Sequence, residues 1–164
     1  TGQPLVVIHP GSGSAHKCVA SEALAAVVAA VQLSGSTPVI LEGPADREPV
    51  ERLIQLCVNP PIVLKDLDLL ALAGVLAQTR FFVGQDSGVT HMAGLIGVRT
   101  VALFGPTDPA RWAPSGAQVT VLQGATCLCQ SWGDVSRCEE KPCLKMPQDR
   151  LVALCRAHLA ETEA

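Results

Sequence analysis

The chain has 164 residues, of which 48% are hydrophobic and 16% charged, and its formal net charge is -3 at pH 7. This length suits a single domain with one ordinary core. The acidic balance, with three Phe, two Trp and no Tyr, excludes the basic surface and the aromatic stacking platforms of a nucleic-acid-binding protein. No run approaches the roughly 20 apolar residues of a membrane-spanning helix, so we expect no transmembrane segment.

Short β-branched runs alternate with longer helical patterns along the chain. They predict strands over 5–9, 38–41, 62–64, 81–84, 100–104 and 119–122, and helices over 22–33, 47–57, 69–78, 88–96 and 148–160. We expect Ser21 to cap the first of these helices and Asp68 the third. The strand-helix alternation predicts a Rossmann-like α/β domain, a mostly parallel sheet with helices on both faces. Ligands of such sheets bind at the carboxyl ends of the strands.

The first predicted strand runs into the loop HPGSGSAHK, residues 9–17. Glycines let the backbone approach a ligand closely, and Ser12 and Ser14 offer hydroxyl groups. Lys17 supplies a positive charge for a phosphate. Because Gly-Ser loops are as often plain turns, this segment alone leaves phosphate binding and a simple turn equally open.

Acidic and polar residues also follow the second and fourth strands. Asp46 can accept hydrogen bonds from a ribose diol, although the sequence alone favours a helix cap at this position. Asp86 and Ser87 fall at a helix entrance, where backbone N–H groups and the helix dipole favour a diphosphate. His91, five residues after Asp86, can face the same pocket, although a histidine on a helix is more often structural.

The fifth strand ends in a proline-rich turn, residues 104–114, that carries Thr107, Asp108 and Arg111. Rigid turns of this kind hold side chains in fixed directions. Four polar loops would therefore meet at one edge of the sheet, which indicates one ligand site.

The segments HPGSGSAHK, LEGPAD, GQDSGVTHMAGLIGV and VALFGPTDPARWAP together resemble the heptosyltransferases of glycosyltransferase family 9. The resemblance implies the C-terminal half of a two-domain GT-B fold and inverting transfer of heptose from ADP-heptose in lipopolysaccharide core synthesis. It covers nearly the whole chain, and residues 1–164 are expected to form one domain that binds the nucleotide-sugar donor. The N-terminal domain, which would bind the lipopolysaccharide core acceptor, is expected to be absent.

The resemblance also assigns nine residues to parts of the donor. No catalytic residue is among them, because the family's general base comes from the N-terminal domain. The assigned residues are Lys17 with Ser12 or Ser14, Ser87, the Gly88 amide and His91 for the diphosphate, Asp46 for the ribose, Leu67 near the base and Asp86 for the sugar hydroxyls.

One departure from the family concerns the phosphate loop, where Lys-x-Trp-Pro is replaced by Lys17-Cys18-Val19-Ala20. The change preserves the phosphate role of Lys17 but weakens the assignment of a particular donor. We expect the full-length protein to be a cytoplasmic glycosyltransferase, or one peripheral to the inner face of the inner membrane. The isolated chain would bind the donor without turning it over.

Four of the seven cysteines lie in an irregular stretch at about 123–146. Their spacing can supply four thiolates to a tetrahedral zinc ion, but we favour reduced thiols in a surface loop, with no cofactor required. Two other functions stay open, namely a GT-B domain like that of a UDP-sugar epimerase and a non-enzymatic module that binds a metal or a partner. The four cysteines are Cys127, Cys129, Cys138 and Cys143.

Overall fold

The computed structural model describes residues 2–160, which contain one six-stranded sheet. The strands are β1 (Leu5–His9), β2 (Thr37–Glu42), β3 (Ile62–Lys65), β4 (Thr79–Gln85), β5 (Thr100–Phe104) and β6 (Val119–Gln123). Their order is β3-β2-β1-β4-β5-β6, and each neighbouring pair is parallel. This order is that of the Rossmann fold, so the predicted fold class is confirmed.

Helices fill the connections between these strands. They are α1 (Ser21–Leu33), α2 (Arg47–Leu56), α3 (Leu69–Ala77), α4 (Gly88–Ile96), α5 (Pro109–Trp112), α6 (Trp132–Arg137) and α7 (Gln148–Ala160). Short 3-10 helices occur at Ala15–Lys17 and Pro142–Leu144. In residues 2–160, no helix is both long enough and apolar enough to span a membrane.

The core lies on both faces of the sheet because successive side chains of a strand point to opposite sides. On β1, Val6 and Ile8 pack into one hydrophobic cluster with Leu24 of α1. Val7, between them, packs into a second cluster with Leu76 of α3. All five are almost fully buried. The helices therefore cover both faces, as the alternating apolar pattern predicts.

The strand order reverses direction between β1 and β4, which lie side by side at the centre of the sheet. His9, the last residue of β1, is in register with Gly84 of β4. The connections leaving the two strands diverge from this point and open a crevice at the carboxyl ends. The phosphate loop and the Asp86-Ser87 segment thus start side by side.

The start of the first helix differs from the prediction. Ser21 is the first residue of α1, and Ala20 occupies the cap position without a side-chain hydrogen bond. The backbone N–H of Val19 donates to Oε1 of Gln85 at 3.2 Å, which fixes the chain entering the helix and lets it begin one residue early. The predicted cap at Asp68 is confirmed, since its carboxylate accepts from the N–H of Ala71.

Candidate functional site

Loops from four strands meet at the carboxyl edge of the sheet, as the sequence predicts. The loop after β1 carries Ser12 and Lys17, and the segment after β4 carries Asp86. Thr107 follows β5. Ser12, Lys17 and Thr107 each bond Asp86 directly, and Ser12 does so across 74 residues of sequence.

Asp86 is the centre of this contact. Its Oδ2 accepts hydrogen bonds from Nζ of Lys17 at 3.1 Å and from Oγ1 of Thr107 at 2.7 Å. Its backbone carbonyl accepts from Oγ of Ser12 at 2.6 Å. The side chain of Asp86 is 9% exposed and that of Lys17 is 19% exposed. A largely buried ion pair with two hydroxyl groups beside it can bind both hydroxyl and phosphate groups of a ligand.

A second polar group adjoins the first through His9. Nε2 of His9 lies 2.9 Å from Oδ2 of Asp46, and Nδ1 lies 3.2 Å from Oγ of Ser87. Asp46 also accepts the N–H of Gly43 at 2.9 Å. Burial raises the pKa of Asp46, but the hydrogen bonds from His9 and Gly43 and the charge of His9 outweigh it and hold that pKa below its usual value. Asp46 is therefore an ionised acceptor, and the imidazole donates to it.

Asp46 does not cap α2 with its side chain, although it occupies the cap position. Its carboxylate instead turns back over the phosphate loop, where Gly11 makes room for it. A Cβ atom placed on Gly11 would lie 1.7 Å from Oδ1 of Asp46. The position of the carboxylate thus depends on Gly11 as well as on its hydrogen bonds.

The amino end of α4 borders both groups. Ser87 is its N-cap, and its hydroxyl accepts from the N–H of Thr90 at 3.4 Å. Gly88, the first residue of the helix, is exposed, and a Cβ placed on it would meet open space. Because the first N–H groups of a helix have no partner within it, this end can bind an anion.

A pocket of about 180 Å³ opens beside Asp46 and His9. Glu42 and Gly43 also line it, and its remaining walls are apolar residues of β2, β3, α3, α4 and the loops after β2 and β3. The apolar wall residues are Leu41, Pro44, Leu64, Leu67, Leu72 and Val89. Such a lining favours a flat apolar ring with polar contacts at one side.

A family model described as glycosyltransferase family 9 (heptosyltransferase) matches residues 1–141 of the chain. The chain belongs to this family.

Individual heptosyltransferases and family 9 glycosyltransferases are also similar to this chain in sequence or in structure. Lipopolysaccharide heptosyltransferase 3 of Escherichia coli is 28% identical over 123 residues, which are 66% of this chain and 33% of that protein. The structure of the family 9 glycosyl transferase of Veillonella parvula matches 98% of this chain and 47% of its own, with a TM-score of 0.84 and 25% identity. The structure of the Escherichia coli ADP-heptose lps heptosyltransferase II matches 96% and 46%, with a TM-score of 0.79 and 18% identity.

The chain thus spans between one third and one half of the length of these family 9 proteins. Its sheet and helices have the fold of one domain of a GT-B heptosyltransferase.

The structure brings together most of the nine residues expected to bind the family 9 donor. Lys17, Ser12 and Asp86 form the first polar group, Asp46 and Ser87 the second, and Leu67 lines the pocket. Gly88 opens α4.

Two of the nine lie at the margin of the site. The hydroxyl of Ser14 caps the 3-10 helix of the phosphate loop by accepting from the N–H of His16 at 3.3 Å. His91 is partly exposed on α4, one turn after Ser87.

Two residues of the site have no assigned role in the sequence analysis. His9 stands at the end of β1, where a polar residue after Val6, Val7 and Ile8 marks the strand end. Gly11 follows two residues later. A histidine at a buried strand end is the only sequence signal for the first, and its partners lie 37 and 78 residues away.

The four cysteines of the 123–146 stretch lie close to one another. The Cys129 thiol contacts those of Cys127 and Cys138, and the Cys143 thiol contacts that of Cys127. Desolvation and the neighbouring thiols raise the pKa of Cys129 and of Cys143 to about 11. Within residues 2–160, no group of three or more His, Cys, Asp or Glu side chains has the arrangement of a metal site. Reduced thiols in a surface loop stay the favoured prediction for these cysteines, and zinc binding stays the alternative.

Proposed function

We propose that this chain binds the nucleotide-diphosphate sugar donor, ADP-heptose or a close relative, for inverting glycosyl transfer in lipopolysaccharide core synthesis. The observation that carries the proposal is that the Lys17–Asp86 pair adjoins the amino end of α4, whose cap residue Ser87 contacts His9 in the wall of the apolar pocket. A cation and free N–H groups suit a diphosphate, a carboxylate suits sugar hydroxyls, and the pocket suits a base. The name of the Escherichia coli relative, an ADP-heptose heptosyltransferase, supports adenine as that base.

The diphosphate would lie between the phosphate loop and α4. Lys17 would contact it with Ser12 or Ser14, and Ser87, the Gly88 amide and His91 would contact it from the helix. Because Lys17 is paired with Asp86, its ammonium group is held at the site without the diphosphate. A phosphate would share this cation with the carboxylate, and its binding would not include the entropic cost of ordering the lysine side chain.

Asp86 would bind hydroxyl groups of the sugar. Oδ2 accepts from Lys17 and Thr107, and Oδ1 is the atom available to a sugar hydroxyl. This arrangement makes Asp86 specific to the sugar, because a nucleoside diphosphate without a sugar would bring only negative charge near it.

The nucleoside would lie on the other side of His9. Asp46 would accept hydrogen bonds from the ribose, and the base would enter the pocket beside Leu67. This pocket, at about 180 Å³, is smaller than the about 300–1,000 Å³ of pockets that enclose whole drug-sized ligands. It fits one ring system, so the rest of the donor would lie in the open crevice.

Catalysis would come from stabilisation of the leaving group. Inverting displacement at the anomeric carbon releases the nucleoside diphosphate, and Lys17 with the α4 amides would stabilise the charge that develops on it. The general base and the contacts to the lipopolysaccharide acceptor would come from the N-terminal domain of the whole enzyme. The chain by itself would therefore bind the donor and transfer nothing.

Calorimetric titration with ADP, UDP and ADP-heptose tests this proposal. We expect ADP to bind, ADP-heptose to bind more tightly, and Lys17→Ala to weaken both by about tenfold, the size of a charged hydrogen bond. Asp86→Ala should remove the advantage of ADP-heptose over ADP. Lys145→Ala, which removes an exposed lysine whose Nζ lies 3.9 Å from Glu140, is the matched control and should change neither affinity.

Two results would contradict the proposal. Binding of uridine nucleotides alone would favour the function of a UDP-sugar epimerase-like domain. Zinc retained with no affinity for any nucleotide would favour a metal-binding or partner-binding module.

A further inference from the structure

His9 connects the two polar groups that the proposed function assigns to different parts of the donor. One ring nitrogen contacts Asp46, the residue for the ribose, and the other contacts Ser87, a residue for the diphosphate. His9 is 3% exposed, so it is nearly closed off from the ligand itself. Its effect on the donor therefore passes mainly through its two partners.

The imidazole determines how each partner is oriented. Asp46 is an ionised acceptor, so Nε2 donates to it, and the ring plane is then fixed by that bond. Nδ1 consequently lies at a set position against the hydroxyl of Ser87. Because an imidazole is rigid, the carboxylate and the hydroxyl are held at a constant separation across it.

Packing around the histidine also restricts Asp46. Its Oδ2 accepts from Gly43 as well as from His9, and its Oδ1 lies against Gly11. The carboxylate has little room to reorient independently of the ring. A displacement of Asp46 would therefore move His9, and with it the position of the Ser87 hydroxyl.

We propose that His9 is a positioning residue that couples recognition of the ribose to recognition of the diphosphate. This inference rests on the proposed function, because it takes from it the roles of Asp46 and Ser87. It predicts that, with the imidazole intact, removal of its partner on one side weakens the contacts of the donor on the other side. A histidine that only fills space would show no such transmission.

Two substitutions each keep one of the two contacts of the imidazole and remove the other. In His9→Asn the amide stands at the place of Nδ1, so it can reach Ser87 but not Asp46. In His9→Gln the amide stands at the place of Nε2, so it can reach Asp46 but not Ser87. Binding of ADP, AMP and 2′,3′-dideoxy-ADP to each variant gives two affinity ratios. The affinity for ADP over that for AMP reports the contacts of the β-phosphate. The affinity for ADP over that for 2′,3′-dideoxy-ADP reports the contacts of the ribose hydroxyls.

The short Asn side chain holds its amide at the place of Nδ1 without help from Asp46, so the contact with Ser87 does not depend on the lost bond. We therefore expect His9→Asn to lower the ratio for the ribose hydroxyls by about three- to tenfold, the size of one hydrogen bond, and to preserve the ratio for the β-phosphate. His9→Gln should do the reverse. Equal losses of both ratios in both variants would show a merely structural histidine and overturn the proposal. Unchanged ratios in both variants would also overturn it.

Asp46→Ala tests the coupling without changing His9, and it serves if the His9 variants do not fold. In this variant the imidazole remains but loses the bond that fixes its plane, so Nδ1 moves against Ser87 and the β-phosphate ratio should fall as well as the ribose ratio. A loss confined to the ribose ratio would contradict the coupling. Glu51→Ala, which removes an exposed carboxylate paired with Arg47 on the same helix, is the control and should leave both ratios unchanged.

The wild-type protein separates this inference from the function on which it depends. Absence of ADP binding to the wild type would overturn the proposed function, and the inference with it. ADP binding with unchanged ratios in the variants would overturn the inference alone.

Discussion

The ammonium nitrogen of Lys17 lies 3.1 Å from Oδ2 of Asp86, and the carboxylate is the more deeply buried of the two. This difference makes the two partners unequal. If Asp86 is removed, the lysine can turn its ammonium group towards water. If Lys17 is removed, the carboxylate stays within the protein beside Thr107 without a cation.

The first prediction follows from this asymmetry. Lys17→Met should lower the free energy of unfolding by about 1–3 kcal/mol, because a buried charge loses its partner, and Asp86→Asn should lower it less. Urea denaturation of both variants and of the double variant measures the difference. The exposed pair Arg47 and Glu51 is the control, since its disruption should have no measurable effect. Equal losses for Lys17→Met and Asp86→Asn would contradict this prediction.

The second prediction concerns Gly11. In Gly11→Ala the new Cβ would stand 1.7 Å from Oδ1 of Asp46, so the carboxylate must leave its place. We expect destabilisation of about 1–3 kcal/mol, as for overpacking in a protein interior, and weaker binding of ADP. Thermal denaturation and calorimetry measure the two effects.

Gly13→Ala is the matched control for this substitution, because a Cβ at Gly13 meets nothing within 4 Å. It lies in the same loop and should change stability by less than about 0.5 kcal/mol. A neutral Gly11→Ala would mean that the carboxylate is not confined as described.

The third prediction concerns stability at high pH. Burial raises the pKa of the Cys155 thiol from 9.0 to about 12. Above about pH 9 the unfolded chain loses this proton and the folded chain keeps it, so rising pH favours unfolding. The stability that the protonated Cys155 thiol contributes is fully present below pH 9 and is lost as pH rises towards 12. The free energy of unfolding falls by up to about 1.4 kcal/mol per pH unit in this range.

Urea denaturation between about pH 8 and about pH 11 tests this dependence. Cys155→Ala should show a shallower fall in the free energy of unfolding than the wild type, even though its stability at neutral pH is lower. Identical slopes would show that the thiol ionises as easily in the folded protein as in the unfolded one. Cys57→Ala, at a partly exposed thiol, is the comparison and should change the slope less.

Much of the fold can be predicted from the sequence because its signals are local. The strands over 5–9 and 100–104 and the helices over 88–96 and 148–160 have the predicted limits. Gly97, with a φ of 89°, ends its helix where a glycine is expected to do so. The strand-helix alternation then leads to a parallel sheet and to a site at its carboxyl edge.

The contacts within the site depend on pairings that no local pattern contains. His9 contacts Ser87 because β1 and β4 are neighbouring strands with a fixed register. The start of α1 depends in the same way on the bond between Val19 and Gln85. A sequence can indicate that Asp46 lies near a ligand, but not that a histidine and a glycine hold its carboxylate.

The fourth prediction concerns metal ions. In the proposed site, Lys17 and the amino end of α4 provide the positive charge that faces the diphosphate, and no divalent cation is required. ADP affinity measured in excess EDTA should therefore equal the affinity measured in magnesium. Lys17→Ala should still weaken binding by about tenfold in EDTA, which would show that the lysine acts without a bridging metal.

A loss of ADP affinity in EDTA that magnesium restores would contradict this prediction and place a cation between the protein and the phosphates. A loss that only zinc restores would instead connect the donor site to the cysteines of the 123–146 stretch.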